Sequence, residues 1–188
     1  MLEGILVDLV PYGERFYKME HGWYNGPGSF FWTMGSQWIL SKAEVDDWRR
    51  HRADNPARAA RRIAFGVQTK DGKPIGQFTI RNLDSYNRLA DLSAIIGDPD
   101  YWSGGYGTDA LTLLIDYAFD WLDVRRVWLT TMAANPRVMR QMEKVGFTLE
   151  VRQRELTVVN GTRSDALIYG LLREEWPGRD TVLERLKG

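Results

Sequence analysis

The chain has 188 residues and a mass of 21.7 kDa, which is the size of one domain. Its 25 Lys and Arg residues balance its 25 Asp and Glu residues, so the basic excess typical of nucleic-acid-binding proteins is absent. The absence of cysteine excludes disulfides and a cysteine nucleophile, and two histidines are too few for a His-rich metal site. No apolar stretch reaches the roughly 20 residues that cross a bilayer, and the N-terminus lacks a signal peptide's basic region. We therefore expect one domain over residues 1–188, cytoplasmic, with no metal and no nucleic-acid or membrane partner.

The first third of the chain predicts a strand, an aromatic segment and a helix. Residues 5–10 are apolar and end at a proline, which is typical of a strand. Residues 12–40 are rich in aromatics and broken by glycines, which predicts one or two helical turns between loops. These aromatics fit a packed core better than the wall of an acceptor pocket, but both interpretations stay open. Ser41 and Glu44 form a capping box that starts a helix over residues 42–52.

The middle of the chain predicts a mixed sheet with helices on its faces. Asp71-Gly72 and Asn160-Gly161 are hairpin turn signals, and Gly146 is placed to end a helix. The periodicity predicts strands over 63–69, 74–81, 89–96, 126–131, 148–159 and 162–172, and amphipathic helices over 108–122 and 135–145. The tail over 173–188 is charged and has no assigned role.

A glycine-rich segment joins the strand over 89–96 to the helix over 108–122. Gly104, Gly105 and Gly107 leave its backbone free to turn sharply. The N–H groups at a helix start have no internal acceptor, and with the helix dipole they form a cradle suited to a pyrophosphate. No lysine follows as a P-loop requires, and the spacing differs from the dinucleotide fingerprint. Taken alone, the segment is equally consistent with a tight turn in a structural module.

Two segments together resemble the GNAT superfamily of N-acetyltransferases. Trp102-Ser103-Gly104-Gly105-Tyr106-Gly107 is similar to its acetyl-CoA pyrophosphate loop, and Asn135 through Lys144, Gly146 and Phe147 is similar to its Asn…Lys-x-Gly-Phe helix. The resemblance covers most of residues 63–172. It is strongest to the branch that acetylates ribosomal-protein N-termini and small amines such as spermidine. It implies an α+β (mixed α/β) fold: a mixed, mostly antiparallel sheet of about six to seven strands flanked by about four helices.

The resemblance implies transfer of the acetyl group from acetyl-CoA, as cosubstrate, to a primary amine by direct attack. The acceptor would be a protein N-terminus or a small molecule. Many relatives pair as homodimers, so a homodimer is one alternative for this chain, and the sequence leaves the oligomeric state open. Arg140 shares a helix face with Arg137 and Lys144, a stripe that either meets the cofactor's phosphates or is solvated. The expected cofactor-binding residues are Ile95, Ile96, Gly97, Trp102, Ser103, Gly104, Gly105, Tyr106, Gly107, Thr108, Asn135 and Arg140.

Three positions bear on catalysis. Asp91 is the candidate base, since it opens a strand where relatives often carry Glu; its alternative is a surface acid near a turn, and Asp84 is a weaker candidate. Met142 stands where many members have a Tyr that protonates the leaving thiolate, and a thioether cannot donate a proton. Either another group does so, or the thiolate leaves unaided. The alternative function is a catalytically weak or inactive acyl-CoA-binding sensor of the same fold.

Overall fold

The computed structural model describes residues 1–28, 39–53 and 60–187. Within these ranges the chain forms eight strands and five α-helices. The strands are β1 (Leu2–Glu3), β2 (Val7–Pro11), β3 (Ile63–Thr69), β4 (Pro74–Asp84), β5 (Leu89–Ile96), β6 (Arg126–Met132), β7 (Thr148–Val159) and β8 (Thr162–Leu172). The helices are α1 (Glu14–Tyr24), α2 (Lys42–Ala53), α3 (Tyr106–Asp116), α4 (Pro136–Val145) and α5 (Arg179–Lys187).

All eight strands belong to one sheet, in the order β1-β2-β3-β4-β5-β6-β8-β7. Every neighbouring pair is antiparallel except β5 and β6. The parallel pairing joins only Leu89–Asp91 to Arg126–Trp128. Beyond that point β5 stays paired with β4 as far as Ile96, while β6 stays paired with β8 as far as Met132. The two strands therefore separate and leave a wedge-shaped gap in the middle of the sheet.

Different helices cover the two faces of the sheet. The main core includes Phe78 and Leu92 on one face and the buried side of α3 packed against them. On the other face α1 lies so close that a Cβ at Gly66 would meet the Phe16 ring, and a Cβ at Gly97 would meet the Trp23 ring. Glycine at these two positions lets the aromatic side chains of α1 rest directly on the backbone. The gap between β5 and β6 thus connects a core face to a face covered by α1.

The mixed α/β fold is confirmed, and the strand count is higher than expected. The additional strand is β1, whose two residues are too short to show an alternating pattern. α1 is also longer than the one or two turns expected, with eleven residues. Phe16, Trp23 and Val10 form a second buried cluster, which favours packing for the aromatics near α1. The expectations for Phe30, Phe31, Trp32 and Trp38 fall outside the described residues.

The ends of two predicted elements differ from expectation. α3 begins two residues early, at Tyr106, and its α-helical part ends at Asp116. A π-helical turn over Tyr117–Trp121 continues it, and the Phe119 carbonyl there accepts a hydrogen bond from Arg173. The charged tail forms α5, where Val182 is fully buried against the main core. No helix in the described ranges is both long and apolar enough to span a membrane.

Candidate active site

The glycine segment forms a tight loop ahead of α3. Gly104 and Gly105 have φ values of 76° and 92°, in the left-handed region that favours glycine. Gly105 is the N-cap of α3, and its carbonyl oxygen accepts hydrogen bonds from the N–H groups of Thr108 and Asp109. The five N–H groups of residues 103–107 have no acceptor in the described part of the chain. Five consecutive unpaired amides at a helix N-terminus form a site suited to an anion.

The second motif forms α4, beside this loop. The Asn135 side chain caps the helix by accepting from the Val138 N–H at 3.4 Å, and Gly146 ends it with a φ of 105°. The Gln141 amide donates to the Thr108 hydroxyl at 3.3 Å and so links α4 to the first turn of α3. The two motifs are therefore neighbours in space.

A cavity of about 510 Å³ runs from the loop into the gap between β5 and β6. At one end it is bounded by the loop and α4. At the other end it reaches both faces of the sheet, with Phe78 and Leu92 on the core side and Arg81, Ser93 and Thr130 on the α1 side. We call this second end the fork, because it lies where β5 and β6 part. The cavity therefore joins the loop and the fork into one site.

Basic side chains from α4 line the loop end of the cavity. Arg137, Arg140 and Lys144 all belong to its wall, and none forms an ion pair within the described residues. The Arg137 guanidinium lies 4.5 Å from the centre of the Trp102 ring. Burial lowers the pKa of Arg137 from its usual value, because part of its hydration is lost. These unpaired cations complement the anion site of the loop.

Trp102 fastens the loop to the end of β5. Its indole N–H donates to the Ile96 carbonyl oxygen at 2.7 Å, and its ring supports Arg137. Trp102 stands where the superfamily often has Arg or Gln, and its ring packs against the guanidinium of Arg137. The cation at this place comes from α4 instead of from the loop.

Asp91 lies directly behind the fork, in the last pair that joins β5 to β6, and is not itself part of the cavity wall. Its side chain is buried, with 8% of the residue exposed. One carboxylate oxygen accepts from Arg81 at 2.9 Å and from Asn82 at 3.4 Å, while the other is buried without a partner. Burial raises the pKa of Asp91, and Arg81 and Asn82 oppose this in part by stabilising the charged form. Asp84, the weaker candidate, instead accepts hydrogen bonds from Tyr86 and Asn87 in an exposed turn.

The structure places most of the predicted cofactor residues around the cavity. Nine of the twelve line its wall: Ile95, Ile96, Trp102, Ser103, Gly105, Gly107, Thr108, Asn135 and Arg140. The other three lie outside the wall. Gly97 is covered by Trp23, Gly104 makes the sharp turn of the loop, and the Tyr106 ring packs edge-on against Tyr101. Met142 is 1% exposed and also borders the cavity, so its side chain faces inward.

The sequence pattern did not single out two groups of residues near the site. Arg81, Ser93 and Thr130 meet at the fork only because three strands align there. Asp109, directly after the loop, is 1% exposed and accepts from Arg179 at 2.6 Å and from the Leu6 N–H at 2.7 Å. No local spacing signals such long-range contacts, although an acid in the first turn of a helix is itself a common stabilising feature.

Residues 17–148 match the family model described as the acetyltransferase (GNAT) domain. The match covers well over half of the chain, so the chain belongs to the GNAT acetyltransferases, as its two motifs implied. It is an acyltransferase. Within the described ranges no group of three or more His, Asp or Glu side chains is placed to hold a metal ion.

Among known proteins the chain is similar to YdaF of Bacillus subtilis, which is named a putative ribosomal N-acetyltransferase. The two are 34% identical over 134 residues, which cover 71% of this chain and 69% of YdaF. Spermidine N(1)-acetyltransferase of Vibrio cholerae is 25% identical over 132 residues, covering 70% of this chain and 73% of that enzyme. The similar proteins therefore include a putative ribosomal N-acetyltransferase and a spermidine N-acetyltransferase, the two kinds of enzyme in the branch that the motifs resemble.

The solved structures confirm the fold. A crystal structure of spermidine N-acetyltransferase from Vibrio cholerae, in complex with CoA and spermine, aligns with a TM-score of 0.78 at 19% identity. The alignment covers 90% of this chain and 97% of that chain. An acetyltransferase structure from T. thermophilus also aligns with a TM-score of 0.78, at 20% identity, covering 98% of this chain and 96% of that one.

Proposed function

We propose that this acetyltransferase moves the acetyl group of acetyl-CoA to a primary amine. The observation that carries the proposal is the cavity, which leads from five unpaired loop amides into the gap between β5 and β6. A diphosphate needs hydrogen-bond donors and positive charge, and the loop end supplies both. The cytoplasmic location, the single domain and the homodimer stay predictions.

In this proposal the loop and α4 hold the nucleotide part of the cosubstrate. The N–H groups of residues 103–107 donate to the diphosphate, and Arg137, Arg140 and Lys144 balance its charge. Asn135 borders the pantetheine arm while its side chain also caps α4. Ile95 and Ile96 form the wall along which the arm lies, because β5 has no strand partner on that side beyond Asp91.

Asp91 is the proposed base. Acetyl-CoA supplies an activated thioester, and the amine forms the new C–N bond at its carbonyl carbon as the C–S bond breaks. The nitrogen loses one proton in this step, and Asp91 accepts it, directly or through a water molecule. A carboxylate of raised pKa is a better proton acceptor than an ordinary aspartate, which makes the burial of Asp91 useful.

The leaving group requires little assistance in this site. Met142 holds the position of the usual tyrosine and cannot protonate the thiolate. A thiol has a pKa of about 8.5, so the thiolate is an adequate leaving group near neutral pH. It takes up its proton from solvent after the C–S bond has broken.

An acceptor screen that follows the release of free thiol from acetyl-CoA tests the proposed function. The panel should contain polyamines, amino acids and peptides with free N-termini. We expect turnover with at least one class of primary amine, and none with the same compound once its amine is blocked. Thiol release that stays at the uncatalysed rate with every amine, for protein shown to be folded by circular dichroism, would contradict the proposal.

A further inference from the structure

The charged side chains in the cavity wall are all basic, and the acid nearest to them, Asp91, lies buried behind Arg81 in an ion pair of 2.9 Å. Four basic side chains belong to the wall, and no Asp or Glu side chain of the described residues does. Three of the four cations, on α4, lie at the loop end where the diphosphate is proposed to bind. The fourth, Arg81, lies alone at the fork, next to the last residue pair that joins β5 to β6. It is therefore not needed for the diphosphate.

Arg81 is set up to bind an additional oxyanion. Its side chain is 46% exposed, and within the described residues its one hydrogen-bond partner is Asp91. That contact uses one terminal nitrogen, whereas a guanidinium has five N–H donors in a fixed planar fork. Asp91 is buried and Arg81 lines the cavity, so an incoming acceptor meets the guanidinium of Arg81 and not the carboxylate of Asp91.

The carboxylates of α1 and α2 near the fork are poorly placed to bind a polyamine. On α1 and α2, next to the face onto which the fork opens, each carboxylate already has a partner within the chain. The contacts are Glu14 with Lys18, Glu20 with Tyr12, Glu44 with Ser41, Asp46 with Arg49, and Asp47 with Arg50 and His51. A polyamine entering the fork would meet the guanidinium of Arg81, whose charge is only partly offset by Asp91 buried behind it.

We propose that the acceptor carries a carboxylate close to its primary amine, and that Arg81 binds this carboxylate at the fork. The proposal rests on the proposed function and narrows its acceptor class. It identifies the acceptor as a free amino acid or the N-terminus of an acidic peptide, and not as a polyamine. Arg81 is thus a specificity-determining residue that acts on the acceptor.

The contact is strong enough to bias the choice of acceptor. A charge-assisted hydrogen bond to a half-exposed arginine changes affinity by roughly three- to tenfold. We expect the wild-type enzyme to show a preference of this order, in kcat/KM, for an acidic peptide over the same peptide with Gln in place of Glu. A matched peptide with Lys at that place, and spermidine, should be poorer still.

The test measures thiol release with matched acceptors on three Arg81 variants. The peptides have a free N-terminal amine and carry Glu, Gln or Lys at the first, second or third residue, and free glutamate and spermidine complete the panel. In the Arg81→Gln enzyme, the ratio of kcat/KM for the Glu peptide to kcat/KM for the Gln peptide should fall to about one. The Arg81→Glu enzyme should instead prefer the Lys peptide. Arg81→Lys keeps the charge and should keep part of the preference. Arg125→Gln, which breaks an exposed pair with Glu174 away from the cavity, is the control and should keep all of it.

The ratio of two acceptors separates this role from an effect on Asp91. Loss of Arg81 also leaves Asp91 without its ion-pair partner. A loss of rate that comes from a weaker base is common to all acceptors and cancels from the ratio, whereas a loss of charge recognition does not. If the acidic peptides are better acceptors than free glutamate, the acceptor is the N-terminus of a peptide or protein. If free glutamate is better, the acceptor is an amino acid. Spermidine preferred by the wild type, or a Glu-to-Gln ratio unchanged in Arg81→Gln, would overturn the inference while leaving amine acetylation intact. Absence of turnover with any amine would overturn both.

Discussion

The two ends of the cavity are built in different ways. The loop end consists of consecutive residues, 102–108. The unpaired backbone amides of residues 103–107 and the unpaired cations nearby give it an unbalanced positive charge. The fork consists of side chains from three strands, and the buried acid behind it, Asp91, is already paired with Arg81. The loop end is thus generic and suited to a cosubstrate that a whole family shares. The fork depends on side-chain identity, so it is where this chain can differ from its relatives.

Loss of the proposed base should give the largest effect, and only on turnover. Asp91→Asn keeps the shape of the side chain but removes its ability to take a proton. We expect kcat to fall about 100-fold or more while the KM for acetyl-CoA stays within about twofold, measured by steady-state thiol release. Asp84→Asn, in an exposed turn, is the matched control and should change kcat little. Unchanged turnover across pH in Asp91→Asn would remove Asp91 from catalysis.

The ion pair behind the loop end should affect stability rather than chemistry. Asp109→Ala leaves Arg179 without its partner and removes the acceptor of two N–H groups of the N-terminal segment. We expect the free energy of unfolding to fall by about 3 kcal/mol, measured by urea denaturation. Glu174→Ala breaks an exposed pair with Arg125, and should cost less than about 1 kcal/mol. Equal losses in the two variants would show that burial of Asp109 is energetically unimportant.

Strain in the loop should weaken binding of the cosubstrate. A Cβ on Gly105 is unfavourable at φ 92°, where a side chain costs about 1–2 kcal/mol. We expect the loop to shift and relieve this strain, which moves its amides away from the diphosphate. The affinity of Gly105→Ala for acetyl-CoA should therefore fall about tenfold, as measured by calorimetry. Gly72→Ala is the matched control, because Gly72 has a similar φ of 87° in the β3–β4 turn. Both variants lose stability, so a loss of affinity in both alike would argue against a specific role for the loop.

Removing one of the unpaired cations should have a smaller effect. Arg137→Met retains an extended side chain over Trp102 but removes the positive charge. We expect about a fivefold rise in the Kd for acetyl-CoA, because the other two basic side chains of α4 remain. Titration with 3′-dephospho-CoA then identifies the contact. Because Arg137 is proposed to meet the diphosphate, the variant should lose about as much affinity for this analogue as for acetyl-CoA. Equal binding of the analogue by the variant and the wild type would contradict this and place Arg137 at the 3′-phosphate.

The smallest effect concerns the pH dependence of stability at the fork. Burial raises the pKa of Asp91 in the folded state above its ordinary value of 3.8, so folding favours the protonated form. The contribution of this group to stability is therefore full at pH below 3.8 and is lost as the pH rises through the raised folded pKa. Asp91→Asn lacks this titration, so its stability relative to the wild type should rise over that pH interval in urea denaturation. A difference that stays flat with pH would show that burial leaves the Asp91 pKa unshifted.

Local patterns predict the loop end well. Glycines that require positive φ, a capping asparagine and a C-terminal glycine act within a few residues, so the loop and α4 can be recognised in the sequence. The fork could not be predicted in the same way. The pairing of Arg81 with Asp91 depends on the register between β4 and β5, and the position of Thr130 depends on where β6 leaves β5. Trp102 shows the same limit, since its departure from the family pattern was visible but its partner Arg137 was not.

A calorimetric titration of acetyl-CoA into the wild-type protein tests the central claim most directly. We expect one acetyl-CoA to bind per chain, with an affinity that falls as salt concentration rises, because amides and cations at the loop end hold a charged diphosphate. Absence of binding by the folded protein, at acetyl-CoA concentrations up to the millimolar range, would contradict it.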